Sequence, residues 1–395
     1  MSQLVDIVNF NADASCLDSA KWLAILKGES NSLFCQWLLL YVRYGKRMAL
    51  GMTGATVSDL IMQNPDAVTI VLDNPDIFQV ILRPYSHDIS LLRTSYGFRF
   101  NLAAGKAAIQ GTFDRVSNYF LPPEFMLMSE QVTALAMTGV KGTFINSEQY
   151  TSDLSARIPK RPYLVRGVMG AKVGCIPIDG ELTQFYLRTI QLWDATEWNK
   201  VIQQKEDSPL RLWRDGESPF LIPNGIEREE FWLTNCTADR VHLKDEEYDT
   251  LVDSSFYHSY PVHSFSDWMK EFRMLGYLGR IQEIEKRLPN LPAVARYFWL
   301  LTINSDILSA VEKHSPLVRL RLSPMNEQIQ EFRILRCERS YEGEEYLAFL
   351  DRYILDEKDP PELNDPITPH LIKAKGRIEH LKRLEPLWSD VMRYS

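Results

Sequence analysis

Short apolar segments alternate with helix-patterned stretches through the first half of the chain, and this alternation limits the possible folds more than any single motif. Residues 4–10 (LVDIVNF) are rich in β-branched side chains and have the length of a buried strand. Residues 78–82 (FQVIL), 117–121 (SNYFL), 142–145 (GTFI) and 174–178 (GCIPI) read the same way, whereas 68–72 (VTIVL) fits a helix end or a strand. Residues 32–43, 97–112 and 129–137 carry helical patterns between them, and an aromatic-rich helical stretch follows residue 178 as far as 201. Strands alternating with helices pack as a parallel sheet, either open and doubly wound or closed into a barrel. After about residue 255 the pattern becomes helical only, over 267–288, 293–313, 326–355 and 372–394, with Pro289, Pro292, Pro324 and the run DEKDPPELNDP as stops and starts. A boundary near Tyr260–Pro261 divides the chain into domains 1–260 and 261–395.

A chain of 395 residues, 45% of them hydrophobic, can bury a full core without disulfide or metal staples. Its 44 basic and 52 acidic side chains give a net charge of −8, which argues against a nucleic-acid partner because phosphate binding needs a basic face. The five cysteines form no C-x-x-C pair and read as buried thiols of a reducing compartment. The N-terminus lacks the basic head and apolar run of a signal peptide, and the apolar run at 37–42 is far short of a bilayer span. The expectation is a cytoplasmic protein with no membrane partner.

Gly51-Met-Thr-Gly54 lacks the later glycine and lysine of a phosphate-cradling loop, and no H-E-x-x-H pair exists. Within residues 118–128 (NYFLPPEFMLM), Glu124 follows a strand and two prolines. Strand ends are where α/β barrels place catalytic residues, yet Pro-Pro-Glu also opens helices well. Asp179 and Glu181 in GCIPIDGEL follow another short strand. Two carboxylates at separate strand ends suit the paired acids of a glycosidase, and a turn with a helix cap explains the second pair equally.

The order of these pieces resembles glycoside hydrolase family 57. Phe120-Leu121-Pro122-Pro123-Glu124 matches the family's strand-end motif, which makes Glu124 the counterpart of its nucleophile. Upstream, residues 78–91 (FQVILRPYSHDISL) are similar to a glycine-tyrosine-histidine segment, with Tyr85 and His87 at its core. Ile178-Asp179-Gly180-Glu181-Leu182 resembles the D-x-E motif, which makes Asp179 the acid/base. Residues 299–307 (WLLTINSDI) look like a segment that reaches over the family's active site, and residues 323–326 resemble its amylase-type members. The resemblance implies a distorted, incomplete (β/α)7 barrel followed by an all-helical C-terminal domain acting as a lid. It also implies retaining hydrolysis or transfer on an α-linked glucan or related oligosaccharide, with no cofactor and no metal. Asp13, Tyr85, His87, Glu181, Trp299 and Asp306 are the expected substrate contacts, with Trp299 and Asp306 on one helix face. Two departures stand out: Asn9-Phe10-Asn11-Ala12-Asp13 replaces a His-Gln-Pro-like strand end, and Leu182-Thr183-Gln184 replaces an aromatic- and histidine-rich segment. Alternatives are a metal-dependent carbohydrate deacetylase using Asp13, His87 and Asp88, with a metal-bound water attacking an N-acetyl group, or a sugar-binding protein without turnover.

Overall fold

The computed structural model describes residues 2–13, 19–146, 161–205, 209–248, 250–252, 256–257, 272–307, 342–352 and 369–393. Seven parallel strands form the centre: β1 (Gln3–Phe10), β2 (Met48–Met52), β3 (Phe78–Leu82), β4 (Val116–Phe120), β5 (Gly142–Asn146), β6 (Lys172–Ile178) and β7 (Leu210–Asp215). They run in the order β7-β1-β2-β3-β4-β5-β6 within a ten-stranded sheet. The other three strands are short: Asp239–Arg240 on β1, an antiparallel Tyr163–Arg166 on β6, and Leu251–Val252 beyond it. No ladder joins β6 to β7 among the described residues. The Asp179 N–H donates to the Arg211 carbonyl across that seam at 2.9 Å, so the barrel is curled and incomplete, as expected.

Side chains alternate across a strand, and here both faces are apolar. Val5, Ile7, Ala49, Ile81, Tyr119, Leu121, Phe144, Ile176, Ile178 and Trp213 form the interior cluster. Leu4, Val8, Phe10, Met48, Leu50, Met52, Leu210 and Leu212 pack outward with α1 (Leu33–Tyr44) and other helices. Arg214 also lies outside, where it pairs with Asp6 of β1 at 2.8 and 3.1 Å and with Glu229 at 2.8 Å. Two arginines and an aspartate in LRLWRD hide this strand from a hydrophobicity reading, and MALGM of β2 has no β-branched residue. Residues 68–72 belong to a helix, Pro65–Asp73, capped by Asn64.

The outer helices include α2 (Gly54–Gln63), α3 (Ser95–Gln110), α4 (Ser129–Met137) and α5 (Gly180–Leu192). The C-terminal part supplies α6 (Phe272–Arg287), α7 (Ala293–Thr302), a helix at 342–352 and α8 (Pro369–Arg393). One core joins this part to α2 and α3 through Ala55, Tyr85, Phe100, Ala104, Trp299, Phe298 and Ile378. The expected boundary at 260–261 and the segment 323–326 lie outside the described residues. No described helix is long and apolar enough to cross a membrane. Cys35, Cys175 and Cys236 are buried and free; Cys16 and Cys337 lie outside the described residues.

Candidate active site

On β1, β3 and β7 the inward phase continues past its last apolar residue into polar side chains at the C-terminal mouth. After Val5 and Ile7 come Asn9 and Asn11; after Ile81 comes Arg83; after Trp213 comes Asp215. Such strand ends are where barrel enzymes keep their chemistry. Asn9 Nδ2 donates to Asp215 Oδ1 at 3.2 Å. The Asn11 backbone N–H donates to the Glu217 carboxylate. Its side-chain Nδ2 lies 2.8 Å from both His87 Nδ1 and Asp306 Oδ2.

Glu124 enters from the turn after β4. Its φ of 52° is left-handed, as is that of Phe125 at 53°, a conformation that side chains with a Cβ rarely adopt and that concentrates at functional sites. The Glu124 side chain is 12% exposed, and its Oε1 lies 3.8 Å from His87 Nε2. His87 Nδ1 is 3.4 Å from Asp306 Oδ2 on its other side. Burial, then the charges of Asp306 and Asp215, push the Glu124 carboxyl up to about 8, against the pull of Arg83. Burial also raises Asp215 to about 6, opposed by the Asn9 hydrogen bond and by Arg83. Glu217 is held well above the usual carboxylate range by burial and by Asp215. His87 is pushed down by burial, with Asp306 opposing.

Asp306 reaches this mouth because the C-terminal part is tied to the loop after β3. Asp88 and Asn304 form an antiparallel bridge, and Ser305 N–H donates to the His87 carbonyl at 2.6 Å. Glu124, His87 and Asp306 therefore meet, although the first and last are far apart in sequence.

Other expected contacts go elsewhere. Asp179 caps α5, accepting from the backbone N–H groups of Glu181 at 3.1 Å and Leu182 at 3.4 Å, and it pairs with Lys205. Glu181 is largely exposed and 3.5 Å from the same lysine. Asp13 accepts from Lys373 and Arg377 of α8, each at 2.6 Å, and Arg377 also forks onto Asp59 of α2 at 2.9 and 2.6 Å. Tyr85 is wholly buried, its hydroxyl 3.1 Å from Ser58 Oγ. Trp299 is core, 6.4 Å from the Phe100 ring centroid. It does not share a helix face with Asp306, because α7 ends at Thr302.

The cap role of Asp179 has a simple origin. The sequence holds two Asp-Gly-Glu triplets, 179–181 directly after β6 and 215–217 beginning on the last residue of β7. The second supplies the clustered pair Asp215 and Glu217. Gly216 is required there, since a Cβ would meet Phe10 and Val8 at 2.9 Å. Overlooking β7 hid this triplet, and seeking Asp-Gly-Glu after every strand would have recovered it.

Asp13, His87 and Asp88 do not converge as the deacetylase alternative needs. Asp88 binds Arg93 at 3.1 Å, and burial raises it to about 7. Among the described residues no group of three His, Cys, Asp or Glu side chains could hold a metal ion.

The fold and the acidic mouth define an incomplete (β/α) barrel with a helical part contributing to its C-terminal opening. No protein-family model and no curated protein matches the sequence. Solved structures do share the fold. The 4-alpha-glucanotransferase from Thermococcus litoralis aligns with 95% of this chain at TM-score 0.55 and 12% identity, and this chain spans 59% of that enzyme's length. A GH57-type branching enzyme from Pyrococcus horikoshii aligns at TM-score 0.62 and 10% identity, covering 97% of this chain and 96% of its own. The alpha-amylase AmyC from Thermotoga maritima aligns at TM-score 0.55 and 10% identity, covering 99% and 97%.

Proposed function

We propose that the protein is a retaining glycosidase or glycosyl-transferring enzyme acting on an α-linked glucan or related oligosaccharide. The observation that carries this reading is the meeting of Glu124, held in a left-handed turn after β4, with His87 and Asp306 at the barrel mouth where β7 also ends in Asp215. Two carboxyls from different strand ends can divide nucleophile and acid between them. The glucan-acting character of the fold neighbours supports the substrate class.

In this reading the pair shares one proton, which rests mainly on the higher-lying Glu124. Attack on the anomeric carbon by Glu124 proceeds from the form in which that proton has passed to Asp215, which gives it to the departing glycosidic oxygen. The C–O bond to the leaving sugar breaks as the Glu124–carbon ester forms. Asp215, now a carboxylate, takes a proton from water or an acceptor hydroxyl, which attacks the ester and frees Glu124. Asp306, Asn11 and His87 line the same mouth and suit sugar hydroxyls, which accept and donate hydrogen bonds. Asp215 replaces Asp179 as acid/base because the Asp179 carboxylate is engaged by a helix terminus and Lys205.

The test is turnover by Glu124→Gln on a panel of α-glucans, followed by azide rescue of Glu124→Ala. Loss with Gln and formation of a glycosyl azide with Ala are expected; unchanged turnover with Gln rejects the assignment.

A further inference from the structure

The protonation of His87 is set by an amide that can face only one way. Asn11, directly after β1, accepts from the Asp13 backbone N–H through Oδ1 at 3.0 Å, a turn of the side chain onto its own backbone. A backbone N–H only donates, so the atom it meets is the amide oxygen and the other atom is the NH2 group. Nδ2 then spends its two hydrogens on His87 Nδ1 and Asp306 Oδ2, each at 2.8 Å. Asn11 is 1% exposed and its own backbone N–H is held by the Glu217 carboxylate, so the amide is fixed in place.

A ring nitrogen that accepts from an amide carries no proton. Were Nδ1 protonated, its N–H would stand 2.8 Å from the Asn11 NH2 group, with Asp306 Oδ2 farther off at 3.4 Å. The one ring proton sits instead on Nε2, the nitrogen 3.8 Å from Glu124 Oε1. Burial, which opposes the doubly protonated ring, acts in the same sense.

We infer that Asn11 is a positioning residue that works through His87, keeping the imidazole neutral with its proton on Nε2, toward Glu124. The inference rests on Glu124 as nucleophile. An Nε2 that already bears a proton does not accept another from Glu124, so the proton of the acid pair stays with Glu124 and Asp215. Once that proton has passed to Asp215, the Nε2–H is a donor that steadies the Glu124 carboxylate for attack. The 3.8 Å separation is longer than a hydrogen bond, and catalytic contacts often tighten only in the substrate complex.

The experiment labels the histidines of the full chain with ¹⁵N and reads both ring nitrogens of His87 without sugar at about pH 7. The signals are assigned by their loss in His87→Gln. The parent protein should show a bare Nδ1 and a protonated Nε2. Asn11→Ala removes the amide and leaves Asp306 beside Nδ1, so the ring proton should move to Nδ1. On a glucan that is turned over, Asn11→Ala should lower kcat about tenfold or more and change KM less, as for an interaction made in the transition state. A protonated Nδ1 in the parent, an unmoved ring proton in the variant, or an unchanged kcat overturns the inference. Should no glucan be turned over, the spectra decide: a moved ring proton upholds the hold of Asn11 on His87 while the glycosidase reading falls. Should Asn11→Ala fail to fold, Asn11→Asp keeps an acceptor for the Asp13 N–H and turns a carboxylate toward Nδ1. A proton on Nδ1 is then expected, and its absence overturns the inference. If both variants fail to fold, Asn11 is a packing residue and the inference falls.

Discussion

Asn9 on the first barrel strand donates to Asp215 on the seventh across 3.2 Å, so the strands flanking one side of the incomplete barrel meet at a carboxyl in its mouth. The other Asp-Gly-Glu aspartate, Asp179, caps a helix instead. Substitution should separate them. Asp215→Asn should lower kcat by roughly 10²–10⁴-fold, the usual contribution of general acid–base catalysis. Asp179→Ala should leave kcat within about twofold and cost roughly 1 kcal/mol of stability through the lost cap. Steady-state kinetics with a denaturant melt on both variants checks the contrast.

A carboxyl raised in the folded state from its ordinary value to about 8 makes stability depend on pH. Below about pH 4 Glu124 is protonated folded or unfolded, and its contribution is fully present. As pH rises toward 8 the unfolded chain releases the proton while the folded one retains it, so stability falls. Glu124→Gln removes this slope and should stabilise the protein at pH 8 by about 4 kcal/mol, with little effect at pH 4. Urea melts of both proteins at the two pH values measure it.

Asp306 pushes Glu124 upward, so its neutral replacement should lower that carboxyl. Asp306→Asn should shift the acidic limb of kcat/KM downward. It should also raise KM, since a carboxylate that accepts from Asn11 in the mouth is lost. An unshifted limb would mean that Asp306 does not act on the nucleophile.

The Asp13 carboxylate is engaged by Lys373 and Arg377 of α8, which makes it a fold determinant. Removing one member of a buried charge cluster leaves the others uncompensated and typically costs about 3–5 kcal/mol. Asp13→Ala should therefore lower Tm strongly while kcat per folded molecule stays near that of the parent protein. Calorimetry alongside active-site titration would show both.

Much of the architecture was legible because barrel strands buried on both faces read as short, mainly apolar runs rich in β-branched residues, as in LVDIVNF and FQVIL. The two missed staves failed for opposite reasons. MALGM relies on glycine and methionine, and LRLWRD turns Arg214 outward to Asp6 and Glu229, pairings that become visible only when the strands are adjacent. At the site, Glu124 stood out by its strand-end position, and its neighbours His87 and Asp306 were singled out by their segments. Asn11, Arg83, Asp215 and Glu217 were not, because their importance lies in the inward phase of strands rather than in a local pattern. Tyr85 and Trp299 show the reverse error. Aromatic residues near a motif look like sugar platforms, yet burying such large apolar surface is what most of them do.

Arg377 reaches Asp13 over 364 residues and Asp59 over 318. Synthesis at roughly 5–20 residues per second puts an interval on the order of twenty to seventy seconds between the two ends of that clamp. During that time an emerging barrel carries two acidic groups whose guanidinium has not yet been made. Asp306 also arrives only after all seven staves have been translated. The acidic mouth is thus completed late in the life of the nascent chain, and a polypeptide stalled before α8 holds its first strands without the bond that fastens them to the last helix.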